Sequence, residues 1–214
     1  MKTLVLMMSA VALLTVSSPA QDLGWTADEV TEKMRETFAE VSTLRASFVQ
    51  TVKFGFTNIE QTFEGRLVLK KPKKYRIESE HQTVVTDGTT VWLYSPVNRQ
   101  LVVDHFKENA NSVSPENFLT TLPSTYYVSL LAREETSGRS LLVLRMVPKD
   151  DRSFIQSVKL WIDEKKWEVR KIQVVDANET ETTYSLKDVE TNVRLDDGLF
   201  GFSPPEGTEI VDLR

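Results

Sequence analysis

The stretch from Gln61 to Gln100 does most to limit what this chain can become. Phe63, Leu67 and Leu69 alternate with Glu64, Arg66 and Lys70, and Tyr75 and Ile77 alternate with Lys74, Arg76 and Glu78. That period of two puts apolar and polar side chains on opposite faces of a strand. Pro72, inside the run Lys70-Lys71-Pro72-Lys73-Lys74, has no N–H to give and breaks the ladder there. Asp87-Gly88, between Thr83–Thr86 and Val91–Tyr94, is a hairpin signal. A sheet with one apolar face follows. Almost nothing in the stretch can do covalent chemistry, which points to binding rather than catalysis.

Residues 1–20 read as a signal peptide. Lys2 is the positive start, Leu4 to Val16 an apolar run too short to cross a bilayer, and Ser18-Pro19-Ala20 a small-residue cleavage site. Residues 21–214 then read as a single exported domain. The chain has no cysteine, so it has neither disulfides nor a cysteine to lipidate. Its core must suffice, and a domain of roughly 190 residues buries about 70% of its unfolded surface. Without Lys2, 25 basic residues face 31 acidic ones, a net charge of −6. That balance argues against a nucleic-acid partner. The four lysines around Pro72 are then a local patch at a charged sheet edge.

Along the chain, Thr26 and Glu29 form a capping box, Trp25 can staple against Val30, and Val30, Met34, Phe38 and Val41 make one apolar stripe. A helix from Thr26 to about Ser42 is expected. From Ala46 the period changes to two, with Phe48, Val52, Phe54 and Phe56 on one face and Gln50 among them. Leu101 to Val103 closes the meander. Ser114-Pro115-Glu116 starts a second, short helix carrying Phe118, Leu119 and Leu122, stopped by Pro123. Strands are expected over 126–134, 140–147, 157–163, 169–176 and 182–189. The apolar run in 140–147 calls for cover on both faces. Leu199 to Phe202 reads as an aromatic strand ended by Pro204-Pro205. Ten or so antiparallel strands with two or three helices give a mainly β, α+β domain whose sheet is long enough to curl.

The catalytic inventory is thin. His81 and His105 stand in no metal-ligand spacing, and the chain has no nucleophile elbow, phosphate-cradling loop or dinucleotide fingerprint. Asp196-Asp197-Gly198 lacks the other ligands of a calcium loop and reads as a turn. Asn178-Glu179-Thr180 matches a glycosylation sequon, a pattern short enough to arise by chance. No cofactor, metal or enzymatic activity is expected.

Several pieces in order resemble the periplasmic outer-membrane lipoprotein carriers of the LolA type. They are Ala46-Ser47-Phe48-Val49-Gln50, Gly65-x-Leu67 leading into Lys70-Lys71-Pro72, Tyr75, Thr86-Asp87-Gly88-x-x-Val91-Trp92-x-Tyr94-x-Pro96, and Phe200-x-Phe202-x-Pro204-Pro205-x-Gly207. The resemblance implies a half-open β-barrel under a helical lid, with Phe48, Leu67, Leu69, Tyr75, Ile77, Trp92 and Tyr94 lining an apolar cavity. Phe118, Leu119 and Leu122 would belong to the lid. It implies a monomer that takes acylated lipoproteins from an inner-membrane ABC transporter and hands them to an outer-membrane acceptor. A lipid- or lipoprotein-sensing regulator on the same fold, or a carrier of another lipid, is the alternative. The family typically has Arg before the proline, tying the lid through helix carbonyls. Lys71 stands there in this chain, a point donor without the guanidinium fork.

Overall fold

The computed structural model describes residues 23–57, 59–107, 122–136 and 138–214. Helix α1 (Ala27–Ala39) comes first, followed by β1 (Thr43–Lys53), β2 (Glu60–Lys70), β3 (Lys74–Ser79), β4 (Thr83–Thr86), β5 (Thr90–Ser95) and β6 (Gln100–His105). After one helical turn, Leu122–Thr125, come β7 (Tyr126–Thr136), β8 (Arg139–Pro148), β9 (Ile155–Asp163), β10 (Val169–Asp176), β11 (Glu181–Thr191) and β12 (Glu209–Asp212). All twelve strands join one open sheet in the order β12-β6-β5-β4-β3-β2-β1-β11-β10-β9-β8-β7. The expected second helix lies outside the described residues, and so do Phe118 and Leu119. Leu122 opens the single turn, and its side chain is also outside the description.

Helix α1 starts where the capping box puts it. Thr26 Oγ1 accepts the Glu29 N–H at 3.2 Å, and Glu29 Oε2 accepts the Thr26 N–H at 2.8 Å. The apolar stripe then packs on two separate parts of the sheet. Val30 and Met34 are buried with Leu142, Leu144 and Met146 of β8 and Val158, Leu160 and Ile162 of β9. One turn later, Phe38 and Val41 pack with Leu69 of β2 and Tyr75 of β3. The helix thus bridges the concave face of a curled sheet.

β8 is covered on both faces, as its unbroken apolar run requires. Leu142 and Leu144 meet α1, while Leu141 and Val143 are buried outside beneath Trp161. That indole donates Nε1–H to Glu134 at 2.8 Å and carries the Lys171 ammonium 3.5 Å from its ring centroid.

Three expectations are corrected. β1 ends at Lys53, so Phe54 and Phe56 lie in the following loop, where Phe56 is 79% exposed. The cause is a turn held by Phe54 N–H to Ile59 O and Thr57 N–H to Phe54 O, both 3.1 Å. Gly55 there sits so close to the β10–β11 turn that a Cβ would lie 2.5 Å from Glu179. Next, Leu199–Phe202 is not a strand. Asp196 Oδ1 accepts the Gly198 N–H at 2.7 Å and winds a 3-10 turn, Asp197–Phe200. Arg76 then takes the Leu199 and Gly201 carbonyls at 3.2 and 3.3 Å, removing them from any ladder. Finally, the sheet is not wholly antiparallel, because β12 adds to β6 in parallel.

The start of α1 is anchored through a single carboxylate. Glu164 accepts Trp25 Nε1–H at 2.9 Å, Arg133 Nη2–H and Nε–H at 2.7 and 3.0 Å, and the Ser140 hydroxyl at 2.8 Å. Arg133 also donates to Leu23 O at 2.8 Å, and Trp25 meets Trp167 edge-on at 4.9 Å. Burial raises the Glu164 pKa, but the hydrogen bonds from Arg133, Ser140 and Trp25 outweigh it and hold the carboxyl below its ordinary 4.5. A depressed carboxylate stabilises the fold above its unfolded pKa and stops doing so as the pH falls through the folded value. Glu164→Gln is therefore expected to lower stability by about 1–3 kcal/mol at neutral pH. Urea midpoints should show the gap to wild type full above pH 4.5 and closing below it.

Candidate ligand cavity

Between α1 and the sheet lies a cavity of about 380 Å³, within the range of roughly 300–1,000 Å³ usual for small-molecule sites. Its roof is the apolar stripe of α1: Met34, Phe38 and Val41, with Thr37. Leu44 and Phe48 of β1 and Leu67 and Leu69 of β2 form one part of the floor. Ile172 and Val174 of β10 and Leu186 and Val189 of β11 form another. Ile77 and Val84 close it on the β3–β4 side, and Trp167 with Glu168 on the far side. Polar groups of the strands and loops also reach it: Gln50, Ser79, Gln82, Tyr184 and Thr191. Gln50 Nε2 donates to the Tyr184 hydroxyl oxygen at 3.4 Å, and burial pushes the Tyr184 pKa up, keeping the phenol neutral.

Phe48 owes its place to Gly65. The two are cross-strand partners, and a Cβ on Gly65 would fall 2.2 Å from the Phe48 ring and 2.4 Å from the Glu78 carbonyl. The tip of the ring occupies the space a Cβ would take and the ring meets Tyr184 edge-on at 6.0 Å.

The far end of α1 is held by Lys71. Its ammonium donates to the Phe38 carbonyl and lies 3.8 Å from the centroid of the Phe38 ring. That carbonyl also accepts the Val41 N–H at 3.1 Å, so a helix-end acceptor is satisfied twice. The neighbouring Lys70 and Lys74 turn to Asp197 instead, at 2.8 and 3.3 Å.

Phe48, Leu67, Leu69 and Ile77, expected from the sequence, come together in this cavity. Tyr75 shares their face but is buried under Phe38, 6.4 Å from the Phe106 ring, and does not reach the cavity. Trp92 and Tyr94 are on the other side of the sheet. Val84 lines the cavity and pairs with Leu93, so Leu93 faces inward and its neighbours face out. They face out because the C-terminal segment gives them a cover of their own: Phe200 is buried and Phe202 packs on Tyr94 at 5.2 Å. The β10 and β11 wall was missed, although Ile172, Val174 and Leu186 alternate with polar residues within strands the sequence marks out.

A groove of about 560 Å³ on the outer face, near Gly65, is larger but is lined by Ser47, Glu64, Arg66, Glu78 and Lys187, unsuited to apolar ligands. His105 is exposed at the end of β6, and His81 sits edge-on to Phe63 at 4.5 Å. Among the described residues no group of His, Asp or Glu could hold a metal ion, and no helix is long and apolar enough to cross a membrane.

A helix laid over an apolar trough in an open sheet is the build of a binding protein. Residues 39–203 match the family described as outer membrane lipoprotein carrier protein LolA, and the chain belongs to that family. The outer-membrane lipoprotein carrier protein of Pasteurella multocida is 27% identical over 217 residues, which span 100% of this chain and 99% of that one. An uncharacterized protein of Methanocaldococcus jannaschii is 27% identical over 191 residues, 86% of this chain. The match spans only about half of that protein, 53%. The crystal structure of an uncharacterized conserved protein from Thermus thermophilus has the same fold, with a TM-score of 0.58 at 12% identity over 87% of this chain and 98% of that one.

Two substitutions test the geometry. Lys71→Met should cost about 1–2 kcal/mol and speed hydrogen exchange at the Val41 amide more than at amides of β8. Gly65→Ala should displace the Phe48 ring and cost about 1–3 kcal/mol in urea unfolding, a loss that Phe48→Leu in the same chain should partly restore.

Proposed function

We propose that this protein is a periplasmic carrier, exported by residues 1–20, whose domain 21–214 shelters the acyl chains of lipoproteins between the inner and outer membranes. In this reading it works as a monomer and catalyses no reaction. It receives cargo from an inner-membrane ABC transporter and yields it to an outer-membrane acceptor. The single observation that carries the reading is the apolar cavity between α1 and the sheet. Its family membership supports the same reading.

Phe48, Leu67, Leu69 and Ile77 are the proposed contacts for the acyl chain. A methylene takes up about as much space as a water molecule in the liquid, ~30 Å³. A cavity of 380 Å³ therefore holds roughly a dozen methylenes, or one acyl chain. Cargo with several chains needs α1 to lift, and Lys71 holds the end that does so.

The test is release of labelled lipoprotein from spheroplasts or inner-membrane vesicles bearing the source organism's own transporter, with ATP and the purified protein. A soluble one-to-one complex is expected, against none without the protein. Ile77→Glu, which sets a charge among the lining residues, should abolish the complex while circular dichroism stays that of the wild type. No release by the wild-type protein under these conditions would overturn the proposal.

A further inference from the structure

The cavity is not uniformly apolar, and most of its neutral polar groups gather at one end. Gln50 of β1, Ser79 of β3, Tyr184 of β11 and Gln82, just before β4, are all at the end nearest the β1–β2, β3–β4 and β10–β11 turns. The opposite end is built by Val41, Leu44, Leu69 and Val189, with Thr191 and the ion-paired Glu168 as its polar residues. Gln50 and Tyr184 are cross-strand partners, and the one bond between them uses an amide hydrogen and the phenolic oxygen. That leaves the Tyr184 O–H without an acceptor and the Gln50 carbonyl without a donor among the described residues. Among the described residues the lining contains no Lys, Arg or His, and its one carboxylate, Glu168, is paired with Arg170 at 2.7 Å.

We infer that Tyr184 and Gln50 form a carbonyl-binding subsite, which selects acyl chains linked as esters or amides over free fatty acids and fixes the direction in which a chain lies. The linkage carbonyl accepts the Tyr184 O–H at the loop end, and the terminal methyl points toward Leu44 and Leu69. An amide linkage also places its N–H within the reach of Gln50 Oε1. A free carboxylate finds no cation among the described lining residues and must shed its hydration for a single neutral donor. Burial raises the Tyr184 pKa, which favours the protonated phenol, the form that donates. The inference rests on the acyl-carrier reading of the same cavity.

The experiment displaces a fluorescent apolar dye from the purified protein with three matched probes: methyl decanoate, decanoate and undecane. The ester is expected to displace at about tenfold lower concentration than either of the others, the factor one neutral hydrogen bond can supply. Tyr184→Phe should bring the ester to the level of undecane, and Gln50→Leu, which removes the bond that orients the phenol, should lower the ester preference in part, with thermal unfolding checked in parallel. Decanoate matching the ester, or Tyr184→Phe keeping the full ester preference, would overturn the subsite while leaving the apolar cavity standing. Failure of undecane itself to displace the dye would overturn the carrier reading, and the subsite with it.

Discussion

Everything in this molecule depends on a helix laid across a trough too wide for it. Twelve strands spaced ~4.8 Å apart make about 50 Å of sheet, and the twist of the strands curls that width into a concave face. Helix α1 has 13 residues and so is about 20 Å long. It cannot cover the apolar side chains that the concave face presents. It settles as a bridge, with Val30 and Met34 on the β8–β9 half and Phe38 and Val41 on the β2–β3 half. The cavity is what the bridge leaves open between its two footings.

The two footings are held by different physics. At the start of α1, one carboxylate gathers four donated hydrogen bonds and two indoles pack edge-on. At its end, Lys71 meets the Phe38 carbonyl and the face of the Phe38 ring, and Asn192 donates to the Glu40 carbonyl at 3.2 Å while accepting the Ser42 N–H at 2.8 Å. The first centres on a carboxylate that accepts, the second on an ammonium and an amide that donate to the carbonyls at the helix end. A guanidinium at position 71 could fork across two carbonyls, whereas an ammonium concentrates its grip at one point.

Much of this was legible in the sequence because it is written locally. Thr26 and Glu29 announce the helix start, the spacing of Val30, Met34, Phe38 and Val41 its buried stripe, and the unbroken run in β8 its two-sided burial. The misreadings share one cause. Alternation separates the two faces of a strand without saying which is inside, and β5 is apolar on both. Trp92 and Tyr94 look like cavity residues until the C-terminal segment, more than a hundred residues later, covers them. The same distance hid β12, whose parallel pairing to β6 no local turn could signal. Phe56 failed for a nearer reason: Gly55 is pressed against Glu179, a contact visible only once β10 and β11 stand beside β1. In the cavity, the individual strands could be read, but the opposition of β1–β2 to β10–β11 across it could not.

In the carrier reading, the two ends of the cavity divide affinity from selectivity. Roughly a dozen buried methylenes at ~0.8 kcal/mol each give about 10 kcal/mol of gross stabilisation. Association and ordering cost at least about 4 kcal/mol of that. The remainder is a modest affinity, which suits a protein that must let go, and the apolar end cannot raise it without enlarging a cavity whose roof is α1. Nor can that end tell one alkyl chain from another, since methylenes carry no label. A bilayer is full of alkyl chains, so discrimination has to come from the polar linkage. The phenol of Tyr184 and the amide of Gln50 are placed at the end where that linkage emerges, and there one hydrogen bond changes which ligand is held far more than how tightly all of them are held.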